Sequence, residues 1–352
     1  MLDTDTLLMN RAIVLARQGA GRVSPNPMVG AVLVKDGRVV GEGYHRYDLL
    51  KHAEAYAIDN AGELARGATL YCNLEPCCHH GRTPPCTDAL IEARIARAVL
   101  TVKDPDPRVN GRGIEQLREA GIEVEVGLLE DRALRLNESY FKFITTGTPF
   151  VHGVIEYPSD ASASLTDWHP SNEFLQAASE YDAVMIGGRP ELNRLVLDTA
   201  LVRERYRPLV VAASDAEPLL LEALRERGAG EVSIVAVETQ SSTADTTGKV
   251  VRLEEGIARG VLRSQVGSLL ATLARKSVTS LLILPGLFDF SDPSNFVEFD
   301  KATLVMPGPM PEHRLATQWA FGDIEFDLED VSIAEADGFT EMTGYPSLRE
   351  VA

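Results

Sequence analysis

The chain has 352 residues, about twice the length of an ordinary domain, so two domains are expected. Its 45% apolar and 24% charged residues suit a globular protein with a real core, and no apolar run is long enough for a membrane span. The net charge of −18 argues against nucleic acid as a partner, because polyanions are gripped by Lys and Arg.

The charge is uneven. Residues 1–146 hold 18 Lys+Arg against 20 Asp+Glu, a balance of −2, and residues 147–352 hold 16 against 32, a balance of −16. The acidic start Met1-Leu-Asp-Thr-Asp5 lacks the basic and apolar regions of a secretory signal, so a cytoplasmic location is expected. All four cysteines fall between Cys72 and Cys86, a clustering that suits metal or catalysis better than a disulfide framework.

In chain order, the apolar spacing of Leu7 to Gln18 predicts a helix. Residues 30–35 and 38–41 read as two strands joined by a tight Asp36-Gly37 turn. A helix starting near His52 follows, then a strand at 68–73, and a helix at 85–93 with proline at its opening. Next come a strand at 97–102, a helix at 113–120, a strand at 123–126 and a helix from Asp131 to about Thr145. Such alternation indicates an α/β layered domain.

Gly147-Thr-Pro149 marks the expected boundary, giving domains 1–146 and 147–352. The second half also reads as α/β. Strands are expected near 150–156, 183–187, 208–212, 232–237, 281–284 and 302–306, with a helix at 265–276 and a polar loop at 240–248.

His52-Ala-Glu54 is followed by Pro76-Cys77 and Pro85-Cys86. Catalytic zinc takes three N or S ligands and keeps one position open, a need that one imidazole and two thiolates meet. It brings water towards a pKa of roughly 7. Glu54, two residues from the imidazole, lies close enough to move protons without being a ligand. An H-x-E triplet alone is a weak signal. Joined to two P-C elements it is the pattern of zinc nucleobase deaminases. A structural zinc is the competing reading and would need a fourth ligand, for which Cys78 or His79 is available. Cys72 lies in a strand pattern and reads as core.

The segment Leu74-Glu-Pro-Cys-Cys-His-His-Gly-Arg-Thr-Pro-Pro-Cys86, with Ser24-Pro-Asn-Pro-Met-Val-Gly30, Gly43-Tyr-His45 and Asp104-Pro-Asp-Pro-Arg-Val-Asn-Gly-Arg-Gly113, closely resembles the bifunctional riboflavin-biosynthesis deaminase/reductases. The resemblance implies a cytidine-deaminase-like three-layer α/β/α domain followed by a dihydrofolate-reductase-like α/β domain. It implies hydrolytic deamination of 2,5-diamino-6-(5-phosphoribosylamino)pyrimidin-4(3H)-one, with His52, Cys77 and Cys86 on zinc and Glu54 as proton shuttle. Asn26 and His45 are implied as contacts to pyrimidine and ribose, and His79 and Arg82 as contacts to phosphate. Asp104 and Asp106 complete the expected substrate site, Asp106 standing where many relatives carry Asn. A His and an Arg on a Gly-containing loop are apt phosphate donors, and Asp104 ends a strand, where α/β ligand sites collect.

The second half resembles the NADPH-dependent reductase domain in length and strand order but departs from its motifs. Where active relatives carry a K-x-A-x-S-L-D-G strand, Val154-Ile-Glu-Tyr-Pro-Ser-Asp-Ala161 keeps the acid, Asp160, alone. A G-x-G-T loop is replaced by Gly187-Gly-Arg-Pro190, and an E-G-G turn by Leu284-Pro-Gly286. The expectation is therefore a reductase-like domain that does not use NADPH. The complete bifunctional enzyme, a deaminase of a related branch and a zinc-stabilised scaffold are the alternatives, and a homo-oligomer is possible.

Overall fold

The computed structural model describes residues 3–156, 168–186, 192, 195–196, 209–213, 234–237, 263–284, 299–308, 318–321 and 324–348. The chain divides into two compact units, Met1–Gly147 and Thr148–Ala352.

The first unit is built on a five-stranded sheet of order β2-β1-β3-β4-β5. Its strands are β1 (Gly30–Lys35), β2 (Arg38–Tyr44), β3 (Thr69–Cys72), β4 (Arg97–Leu100) and β5 (Glu123–Val126). β1 pairs antiparallel with β2 and β3, while β3, β4 and β5 run parallel. The Asp36-Gly37 turn has φ of 50° and 72°, the left-handed pair that a two-residue hairpin loop demands. β2 runs three residues beyond the expected end, to Tyr44, which carries the hairpin up to His45.

Successive strand residues point to opposite faces and so feed two cores. Ala31 and Leu33 join Ala53 and Ala57 of α2 (Ala53–Ala61), Leu90 of α3 (Cys86–Glu92) and Leu117 of α4 (Arg112–Glu119). Val32, Tyr71 and Val99 meet Met9, Ala12 and Ile13 of α1 (Thr4–Arg17) on the other face, where Leu136 of α5 (Glu130–Leu136) also packs. The result is a three-layer α/β/α sandwich. α2 lies hard against β2, since a Cβ on Gly41 would stand 2.1 Å from the Ala57 carbonyl oxygen. The single helix expected from Asp131 to Thr145 is two, α5 and α6 (Glu138–Thr146), broken at Asn137. The Asn137 amide is drawn away to the backbone of Met28, accepting from its N–H at 2.8 Å and donating to its carbonyl at 2.9 Å.

The second unit holds a nine-stranded sheet of order β12-β13-β14-β11-β6-β10-β7-β8-β9. The strands are β6 (Phe150–Glu156), β7 (Ala183–Ile186), β8 (Leu209–Ala213), β9 (Ile234–Val237), β10 (Ser280–Ile283), β11 (Lys301–Pro307), β12 (Gln318–Phe321), β13 (Ile324–Ala336) and β14 (Phe339–Leu348). From β11 to β9 neighbouring strands are parallel, and β12, β13 and β14 add an antiparallel edge. One face packs on α8 (Arg263–Arg275) through Leu269 and Leu273, and the other on α7 (Asn172–Ala178) through Phe174 and Ala178. The edge strands and α7 were not anticipated. Asp160, residues 187–190, residues 240–248 and the Pro285-Gly286 turn lie outside the described residues. No helix among the described residues is long and apolar enough to cross a membrane.

Candidate metal centre

His52 is the N-cap of α2, Cys77 follows the β3 strand, and Cys86 is the first residue of α3. The imidazole Nδ1 stands 3.1 Å from the Cys86 Sγ and 3.5 Å from the Cys77 Sγ, and the three donor atoms lie within 4.8 Å of one another. The opening backbone N–H of α3, on Cys86, donates to the Cys77 Sγ at 3.3 Å. Packed together, the two thiols are hydrogen-bond partners. Cys77 is drawn well below the ordinary thiol range, first by its hydrogen bond with Cys86, while that bond and burial push Cys86 up.

Glu54 is in the first turn of α2 and only 3% exposed. Burial pushes its carboxyl up, against the pull of His52. The distal nitrogen of His52, Nε2, faces the Thr83 hydroxyl at 3.3 Å. Partners of this kind fix which ring nitrogen is free for a metal. Nothing in the local sequence marks Thr83 beyond its place in the insert between the two cysteines.

His45 is buried against this group, its ring edge-on to His52 with centroids 5.2 Å apart. Its Nδ1 faces the Lys51 carbonyl at 3.2 Å and its Nε2 faces the Asn26 amide nitrogen at 3.4 Å. Donation from Nδ1 and acceptance at Nε2 satisfy both contacts with a neutral ring. Burial, then the neighbouring His52, hold its pKa down at about 4. Asn26 is reached because Asn73, fully buried at the end of β3, grips the loop behind it, accepting from the Gly30 N–H at 2.7 Å and donating to the Met28 carbonyl at 3.0 Å.

Arg82, exposed on the insert, donates to the Tyr47 hydroxyl at 3.2 Å. His79 Nδ1 is buried with no hydrogen-bond partner among the described residues. Asp104 accepts from the Tyr140 hydroxyl and from the Asp106 N–H, both at 2.9 Å, and burial pushes its carboxyl up to about 6. Asp106 is taken up by Arg108, whose guanidinium holds its carboxyl below the ordinary range. The Cys78 thiol turns to the Arg108 carbonyl at 3.6 Å, and neither it nor His79 joins the donor group, which contains three residues. One imidazole and two thiolates, with no fourth protein donor among the described residues, fit zinc in an open site. Glu75, Tyr140, Arg108 and Thr83 were not singled out in the sequence.

The family model described as the cytidine and deoxycytidylate deaminase zinc-binding region matches residues 2–102. The maize riboflavin biosynthesis protein PYRD, chloroplastic, is 32% identical over 97% of this chain and 88% of its own length. The Escherichia coli riboflavin biosynthesis protein RibD is 52% identical over 42% of this chain and 40% of its own. Among solved structures, a diaminohydroxyphosphoribosylaminopyrimidine deaminase/5-amino-6-(5-phosphoribosylamino)uracil reductase from Thermotoga maritima covers 97% of this chain and 99% of its own at 29% identity, with a TM-score of 0.77. An Acinetobacter baumannii RibD covers the same shares at 27% identity, with a TM-score of 0.70.

Proposed function

Because the chain belongs to the riboflavin-biosynthesis deaminase/reductase family, we propose that residues 1–146 form a zinc-dependent domain that deaminates 2,5-diamino-6-(5-phosphoribosylamino)pyrimidin-4(3H)-one. The observation that carries this is the convergence of His52 Nδ1 with the Cys77 and Cys86 thiols, beside a buried Glu54 on the same helix turn as His52. His52, Cys77 and Cys86 would hold the zinc, which supplies the Lewis acidity that makes a hydroxide nucleophile available at neutral pH. In the overall reaction water adds at the ring carbon bearing the exocyclic amine, the C–N bond breaks and ammonia leaves.

Glu54 takes the proton from the attacking water and returns it to the departing nitrogen. Its burial keeps bulk water from competing for that proton. Thr83 holds His52 in the ring orientation that points Nδ1 at the thiols. Asn26, held by the neutral His45 ring, keeps its Oδ1 and its second amide N–H for the heterocycle and ribose, and His45 fixes its orientation. Arg82 and His79 take the phosphate. The His79 Nδ1, which has no partner among the described residues, is a group that a ligand would satisfy. Asp104 and Asp106 line the site on the side of His79, which helps to hold the Asp106 carboxyl down.

For residues 147–352 we propose a reductase-like domain without NADPH chemistry. Its first strand presents Val154, fully buried with Trp168, Phe174 and Val184, where active relatives have a lysine. The bifunctional reading is the second one, and the whole-length similarity to the Thermotoga deaminase/reductase favours it. One experiment separates them. The purified chain is given the diaminopyrimidine phosphate with and without NADPH, and products are resolved by mass. Loss of the amine alone in both reactions is the expected result. Ribosyl reduction with NADPH establishes the bifunctional enzyme, and no deamination in either overturns the main reading.

A further inference from the structure

The segment between β4 and α4 is strapped to the ligand loop at several points. Glu75, two residues before Cys77, accepts the backbone N–H groups of Asp104, Gly111 and Ile114 at 3.2, 2.8 and 3.1 Å. A Cβ on Gly113 would stand 2.2 Å from the Pro76 carbonyl oxygen, so the two backbones are in contact. The Cys78 thiol bonds to the Arg108 carbonyl. The segment beside Cys78 is thereby fixed, and it is acidic: Asp104 and Asp106 belong to it, Asp106 near enough to His79 to be influenced by it, and Glu75 accepts from its backbone.

An acidic segment is a poor wall for a phosphorylated substrate, since like charges held close together in a partly dry site repel strongly. Arg108 removes half of the difficulty. Its Nε lies 3.0 and 3.1 Å from the two Asp106 carboxylate oxygens, its Nη2 bonds the second of them, and its backbone N–H reaches the first at 2.9 Å. The Asp106 side chain is 9% exposed and the Arg108 side chain 68%. The acid is therefore buried under a cation that itself faces solvent. A lysine could not match this fork geometry.

We propose that Arg108 is a specificity-determining residue of the deaminase site: by forking onto Asp106 it cancels the negative charge that would otherwise face the anionic end of the substrate. This rests on the reading of the substrate as a phosphorylated pyrimidine. Arg108 acts through Asp106 and need not touch the substrate, which separates its role from that of Arg82. A loop-shaping role alone would affect charged and uncharged substrates alike.

The test compares the zinc-loaded full chain, Arg108→Ala, and Arg108→Ala combined with Asp106→Asn. Each is given the phosphorylated diaminopyrimidine and its dephosphorylated nucleoside. Arg108→Ala should raise KM for the phosphorylated compound on the order of tenfold, more at low salt, with little change in kcat. KM for the nucleoside should stay within about twofold, because a neutral ligand does not sense the uncovered charge. Adding Asp106→Asn should return KM for the phosphorylated compound most of the way, and zinc content should be equal in all three. Equal losses on both substrates would show a structural role and overturn the proposal. A double variant as poor as Arg108→Ala overturns it too, since Arg108 would then contact the phosphate directly. Failure of the unsubstituted chain to turn over the phosphorylated compound removes the substrate reading itself. Normal turnover of that compound by Arg108→Ala removes this proposal alone.

Discussion

Glu54 and Thr83 show two ways in which one side chain serves the metal group without belonging to it. Glu54 sits two positions from His52, so the first turn of a helix carries both to one place. That is a local relation, and the H-A-E triplet reveals it. Glu54→Gln keeps the shape and removes the proton carrier. Turnover should fall by about 10²–10⁴-fold with zinc content unchanged, and near-native turnover in this variant would demote Glu54 to a bystander. Thr83 reaches His52 across 31 positions of sequence, and no periodicity or spacing rule connects them. Thr83→Val removes the hydroxyl at nearly constant volume. Zinc affinity should drop by about 10–100-fold, read by competition with a chromophoric chelator. Unchanged affinity would mean that the hydroxyl does not orient the ring. His45 with Asn26 and Asp106 with Arg108 lie between these extremes, in short motifs whose members are visible although their pairing is not.

Elements were legible where one period runs unbroken. α1 buries Met9, Ala12, Ile13 and Ala16 at helical spacing, and the Asp36-Gly37 turn fixes the first hairpin. β13 hides its signal differently. Ile324-Glu-Phe-Asp-Leu-Glu329 alternates cleanly, but the register shifts between Glu329 and Ser332, with Asp330 at φ 49°. A bulge reverses which residues face the core, so no single period-two pattern spans the strand. Part of the −16 balance sits on this hairpin, where Glu329, Asp330, Glu335 and Asp337 are exposed. Charge there guards the sheet edge against pairing with other chains. The break between α5 and α6 was hidden because its cause, Met28, is 109 positions away. Asn137→Ala strips the Met28 N–H of its partner inside a buried junction. It should cost about 1–3 kcal/mol, measured by denaturant unfolding of the first unit. A loss below ~0.5 kcal/mol would show that the tie is incidental.

At the scale of the molecule, the two units should answer acid with opposite signs. In the second unit His152 is fully enclosed on β6, its Nδ1 2.6 Å from the Tyr181 hydroxyl and its Nε2 2.8 Å from the Thr303 hydroxyl, which continues to Thr343 at 2.7 Å. This polar chain ties β6, β11 and β14, and burial with the nearby Lys301 charge pushes the imidazole down to about 3. A free histidine titrates near 6.5, so between pH 6.5 and about 3 the unfolded chain binds a proton that the folded one refuses. Stability from this group is complete above pH 6.5 and falls as pH drops through that window, by up to about 1.4 kcal/mol per pH unit. In the first unit, Asp104 has a folded pKa raised from 3.8 to about 6. There the folded state holds the extra proton, so its favourable contribution is complete below pH 3.8 and is lost as pH rises through 6. His152→Gln keeps a donor and an acceptor but cannot charge. At pH 7 it should be less stable than the native chain, because the amide fits the site less well. The gap should narrow by roughly 2 kcal/mol between pH 6.5 and 5, followed by thermal unfolding at half-unit steps. Asp104→Asn should show the reverse trend, its deficit shrinking as pH rises. Parallel pH profiles for native and His152→Gln would mean that His152 is charged in the folded protein, and the buried chain from Tyr181 to Thr343 would then need a different proton count.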